Sequence, residues 1–134
     1  MERFIKAQKK YHSMALEELK NGKKESHWMW FIFPQIKGLG SSYNAEYYGI
    51  KDLDEVKTYW SNDYLRNNYL ELLEVLLSLE ENNPRHIFGY TDGVKLKSSL
   101  TLFYLASNSE LIHKVLGKFY NYELDRKTIS LLKN

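Results

Sequence analysis

The amino-acid sequence predicts an all-α protein, a single compact domain of about six to eight helices packed around a central short aromatic helix. Three observations carry that expectation. Apolar residues recur at steps of three and four along most of the chain, no segment alternates in the period of a half-buried strand, and no hairpin turn joins two such segments. A length of 134 residues suits one domain with one core, spanning 1–134. Apolar residues make up 43% of the chain and charged residues 27%, enough to fill a core and to solvate a surface, so a disordered chain is not expected.

The elements follow in order. Phe4, Ala7, Tyr11, Met14/Ala15 and Leu19 form one face of a first helix, and Gly22 follows as its stop. In "SHWMWFIFPQ", residues 26–35, Ser26 is expected to cap a short helix through Phe33, which Pro34 closes by disfavouring helix at the residue before it. On periodicity alone the six apolar residues 28–33 fit a buried strand equally well, but a strand would find no partner in a helical chain. A helix apolar on every side must be enclosed on every side. The segment is therefore expected to be a mostly buried plug, and truncating Trp30 to Ala should cost about 3–5 kcal/mol.

A short helix is expected around Ala45 to Tyr48, and another over Leu53 to Trp60, capped by Asp52. Asp63 is placed as the cap of a long helix to about Asn82. Its stripe is Leu65, Tyr69, Leu72, Leu76 and Leu79, and its polar line is Asn67, Glu71, Glu74, Ser78 and Glu81. Pro84 suits the first turn of a segment ending near Gly89, and Asp92 is placed as the cap of a helix from about Val94 to Ala106. Ser107 or Ser109 is placed as the cap of a helix from Glu110 to Tyr120, and Asp125 as that of a last one to Leu132.

Three polar groupings are candidates for chemistry. His27 and Gln35 flank the aromatic plug, where a few polar groups beside apolar walls would orient a small ligand; a hydrogen-bonded structural histidine is the competing reading. In "GLGSSY", Gly38 and Gly40 let backbone approach a ligand, and Ser42 follows with a hydroxyl. The dinucleotide fingerprint also needs a preceding strand and a third glycine, so a plain glycine turn competes. In "DGVKLKSS", Lys95, Ser98 and Ser99 stand at i, i+3 and i+4. A cation near a helix N-terminus opposes the macrodipole unless an anion compensates it, against the alternative of a solvated lysine beside two serines.

Composition narrows the function classes. The absence of cysteine excludes disulfides, thiolate ligands and a cysteine nucleophile, and fits a reducing cytoplasm. His12, His27, His86 and His113 show no metal-ligand spacing, no motif requires a cofactor, and no catalytic residue stands out from the many serines. The first 24 residues hold seven Lys/Arg against three Glu without a continuous apolar stretch, so no signal peptide is expected there. An apolar run of six residues is far too short for a membrane span. Nucleic-acid binding is disfavoured by a net charge of only +2 and by the lack of a basic stripe beside the aromatics.

Phe4, Ala7-Gln8, Tyr11, Gly22, Lys24, "SHWMWFIFPQ", "GLGSS", Tyr48, Ile50, Ile87-Phe88-Gly89, Asp92, "KLKSSLTLF" at 95–103, Asp125, Thr128 and Leu131 carry a resemblance over nearly the whole chain. They resemble the bacterial family catalogued as domain of unknown function number 1810, which also bears a calpastatin-like label. The resemblance implies a compact all-α fold with no established activity, and it transfers no catalytic residue. The label does not imply protease inhibition. One departure is visible: where the family tends to have Leu-Gly-x-Arg-Leu, this chain has Leu65-Arg66-Asn67-Asn68-Tyr69, so a role of that arginine is lost or moved to Arg66.

Two functions are therefore expected to compete. One is a small-molecule site for an anionic, nucleotide-like ligand, built from His27, Gln35, Gly38, Gly40, Ser42, Lys95, Ser98 and Ser99. The other is an interaction module that offers some of Tyr43, Tyr47, Tyr48 and Tyr59 to a protein partner. Convergence of His27, Gln35, Ser42 and Lys95 in one concavity would favour the first.

Overall fold

Capping side chains set most of the element boundaries. The computed structural model describes residues 1–133, and among them stand eight helices: α1 (Glu2–Lys20), α2 (Met29–Ile32), α3 (Tyr43–Tyr48), α4 (Leu53–Ser61), α5 (Asp63–Ser78), α6 (Pro84–Ser107), α7 (Glu110–Tyr120) and α8 (Arg126–Leu132). Asp52, Ser109 and Asp125 accept from the backbone amides of Glu55, Ile112 and Thr128, as their positions predicted. Asn62, one residue ahead of the expected Asp63, caps α5 by accepting from Leu65 N at 3.0 Å. At its other end α5 stops at Ser78 rather than near Asn82, and the Lys118 ammonium donates to the carbonyls of Leu76 and Leu77, at 2.8 and 3.1 Å, and of Leu79. A cation there answers both the orphan carbonyls and the negative end of the helix.

The aromatic segment departs from its expected form. Its helix is a single turn, because Ser26 does not cap it: the amide and hydroxyl of Ser26 both donate to the Glu18 carboxylate of α1. The Trp28 indole N–H donates to the same carboxylate at 2.9 Å, so a side chain of α1 fixes the start of the plug. Gln8, also on α1, closes its end by donating to the Phe31 carbonyl and to the Tyr59 hydroxyl, both at 2.8 Å. Trp28, Met29, Phe31, Ile32 and Phe33 are buried as expected, but Trp30 is only half-buried. The cavity cost expected for truncating Trp30 therefore belongs to Trp28, which is fully enclosed.

The plug sits where the long helices meet. α1 packs on α5 and α2, α4 on α5 and α6, and α7 on α5 and α6, while α8 closes on α6. Trp28 and Phe33 meet Phe88 edge-on, Phe33 meets Tyr69 edge-on, and Tyr69 stacks on Phe103 at 4.6 Å. Such pairs add about 0.5–1.5 kcal/mol each beyond area burial. The buried Tyr59 and Tyr69 hydroxyls are satisfied by Gln8 and Ser99, and burial pushes both phenols up.

Helix α6 joins two elements expected to be separate. Asn83 caps it and Pro84 opens it, and the chain breaks only at Gly89 (φ 79°, ψ 172°) before continuing to Ser107. Asp92 lies inside this second arm and caps nothing. Its carboxylate instead pairs with Lys24 at 2.8 Å, tying the stretch ahead of the plug to α6.

Candidate functional site

A cleft of about 530 Å³ opens between the 35–49 excursion and the second arm of α6, with residues of the α8 start at its edge. That size is typical of small-molecule sites. The excursion forms because the chain returns on itself after the plug: Lys37 N donates to Ile50 O at 2.7 Å and Ile50 N to Gln35 O at 2.9 Å, closing a loop that carries α3. Its return is tight at Gly49, where a Cβ would lie 2.8 Å from Ala45 O and 3.0 Å from Lys37 Cα. The Arg3 guanidinium of α1 donates to Gly49 O at 3.2 Å and holds that corner down.

One wall presents Gln35, Gly40, Ser42, Asn44 and Tyr48; the opposite wall presents Tyr90, Val94, Lys95 and Ser98, with Trp30 between them. Lys95 Nζ stands 5.6 Å from the centre of the Trp30 ring, within cation–π reach. It is 3.9 Å from Asp92 Oδ1, while Lys24 takes the other oxygen of that carboxylate at 2.8 Å. One carboxylate thus serves two ammonium groups. At the edge, Asp125 Oδ2 accepts from Ser98 Oγ at 3.1 Å, from Thr128 N at 3.0 Å and from the Thr128 hydroxyl, and Lys127 adds a further cation. Among the described residues the side-chain hydrogen bonds of the cleft run through Ser42, Ser98 and Asp125, leaving the Gln35 and Asn44 carboxamides for water or a ligand. Burial, followed by the neighbouring tyrosines Tyr47, Tyr11 and Tyr43, pushes the Tyr48 phenol up.

Five of the eight sequence-predicted residues line this cleft: Gln35, Gly40, Ser42, Lys95 and Ser98. Three do not. His27 is exposed at the start of the plug and does not line the cleft. Gly38 takes φ 106° at the outer turn of the excursion and faces Leu131 of α8. Ser99 is fully buried and bonds the Tyr69 hydroxyl at 3.0 Å, because one residue along a helix turns a side chain from the cleft face to the core. Trp30, Asn44, Tyr90, Asp125 and Lys127 were not anticipated as site residues. Asp125 was visible only as a helix cap, a task it also performs. Asn68, at the departure from the family pattern, donates to Gln8 Oε1 at 3.1 Å, and Arg66 bonds Trp60 O and Asp63; neither lines the cleft.

The fold and cleft define a class first: an all-α protein with a ligand-sized cleft lined by aromatic, amide and charged side chains. The chain belongs to the family described as "Protein of unknown function (DUF1810)", whose model matches residues 1–132. The crystal structure of the conserved hypothetical protein Rv1873 from Mycobacterium tuberculosis is similar to it, with 39% sequence identity and a TM-score of 0.95 over 99% of this chain and 96% of that one. No curated protein matches the chain. Among the described residues no helix is long and apolar enough to cross a membrane.

Proposed function

We propose that the cleft binds a small anionic, nucleotide-like molecule, with Lys95 as its charged anchor and Gln35, Gly40, Ser42 and Ser98 among its walls. The observation that carries this reading is the state of Lys95. Its ammonium faces a ligand-sized cleft over an indole, and its nearest carboxylate, at 3.9 Å, is engaged more closely by Lys24. Asp92 compensates the lysine only in part, which leaves attraction for an external anion. The sequence argument from the helix dipole is weaker than expected, since the second arm of α6 begins after Gly89 and Lys95 lies more than a turn inside it.

Lys95→Met keeps most of the aliphatic stem and removes the charge. Wild type should gain thermal stability from phosphate, sulfate or AMP, and the variant should not. A ligand at 100 times its Kd stabilises by about 2.7 kcal/mol, which a melting curve resolves. Equal responses of the two proteins would reduce Lys95 to a solvated surface lysine.

A protein-interaction reading retains one specific observation. Tyr43 and Tyr47 on α3 stack at 5.9 Å with their rings within 7° of parallel, and Tyr43 is 78% exposed; Tyr59, by contrast, is buried and available to no partner. A Tyr43→Ser/Tyr47→Ser variant should keep the full anion response, which separates the two readings.

A further inference from the structure

The balance of charge around the cleft indicates which anion it takes. Lys95 and Lys127 line it beside Asp125, and behind them Lys24 and Asp92 form a pair that Lys95 joins. Taken together these groups hold a single excess positive charge. The Asp125 carboxylate is fixed in place, its three hydrogen bonds all falling on Oδ2, and Oδ1 has no protein donor among the described residues. A fixed carboxylate at the edge of an anion site repels a second phosphate and accepts well from hydroxyl groups. The remaining walls suit a planar heteroaromatic base with donors and acceptors on its edge: Trp30, Tyr48 and Tyr90 offer aromatic surface, and the Gln35 and Asn44 carboxamides each offer a donor and an acceptor together.

From this we infer that the ligand is a nucleoside monophosphate, and that the cleft discriminates against the corresponding di- and triphosphates. The inference rests on the anion-binding reading of the same cleft. In it Lys95 and Lys127 hold one phosphate, whose charge at neutral pH is about −1.5 to −2. Asp125 Oδ1 accepts from the sugar hydroxyls, the two carboxamides face the edge of the base, and the aromatic side chains cover its face. A longer phosphate chain would add charge that the cleft cannot match and would bring it toward Asp125.

The test is calorimetric titration of the whole protein, in magnesium-free buffer, with adenosine, AMP, ADP, ATP and inorganic phosphate as separate probes. AMP should bind most tightly, by about tenfold or more over ATP, and adenosine and phosphate should each bind more weakly than AMP. Asp125→Asn preserves an N-cap acceptor, so α8 should remain capped while the AMP-to-ATP ratio shrinks. Lys127→Gln, at an exposed position, should weaken every phosphate and ATP most. ATP binding as tightly as AMP would overturn the monophosphate inference and leave the cleft an anion site. If none of the five probes bound wild type, both would fall.

Discussion

Glu18 receives four hydrogen bonds on one carboxylate, from the amides of Glu25 and Ser26, the Ser26 hydroxyl and the Trp28 indole. Desolvation alone would raise its pKa, but these donors together outweigh it and hold the group at about 2, against an ordinary 4.5. A carboxyl depressed in the folded state stabilises fully above its unfolded value, and that contribution is lost as pH falls from about 4.5 toward 2. Glu18→Gln should therefore be less stable than wild type at pH 7, by about 1–2 kcal/mol after allowing for its partial exposure. The gap should close through that acid window in denaturant titrations at stepped pH. A gap undiminished at pH 2 would mean that packing around the residue, rather than its charge, holds the plug. Periodicity places a residue on a face without identifying its neighbours, so Gln35, Ser42 and Lys95 could be singled out by residue type whereas the partners of Glu18 and Gln8 could not. The same gap misplaced Ser99, whose neighbour Ser98 does reach the cleft.

At the scale of elements, local chemistry was most legible where a cap acts within its own helix, as at Asp52, Ser109 and Asp125. It was least legible where a distant group engages the expected cap instead, as Glu18 does Ser26 and Lys24 does Asp92. The excursion that carries α3 belongs to the second kind, because its shape depends on backbone approaching backbone at Gly49. The φ there is −62°, which any residue adopts, so the constraint is space alone. A methyl group would press on Ala45 O and Lys37 Cα, neither of which is the movable end of a side chain. Gly49→Ala should cost about 1–3 kcal/mol through overpacking. It should also widen the bridge between Ile36 and Ile50, seen as faster exchange of the Lys37 and Ile50 amides. Unchanged protection of those two amides would show that the loop absorbs the methyl group elsewhere.

For the molecule as a whole, the cleft draws its walls from Trp30 through Lys127, so nearly the entire chain must fold before it exists. The all-α class, the buried plug and the helix order could be read from the sequence because each rests on periodicity within one segment. The cleft could be read only in part, since Asp125 and Lys127 reach it through the docking of α8 on α6. What aims the second arm of α6 at the excursion is the break at Gly89, whose φ of 79° and ψ of 172° fall in a region essentially reserved for glycine. A Cβ there would meet nothing within 4 Å, so Gly89→Ala probes backbone strain alone, at a cost of about 1–3 kcal/mol. Gly22, also at positive φ with open space around it, ends α1 and lines no part of the cleft, which makes Gly22→Ala the matched control. Both variants should shift the urea midpoint downward with little change in slope, because neither alters the surface exposed on unfolding. Only Gly89→Ala should also weaken the response to AMP, since relief of its strain turns Tyr90, Val94 and Lys95 away from the opposite wall. A midpoint for Gly89→Ala equal to wild type would mean that the break is not what sets the direction of the arm.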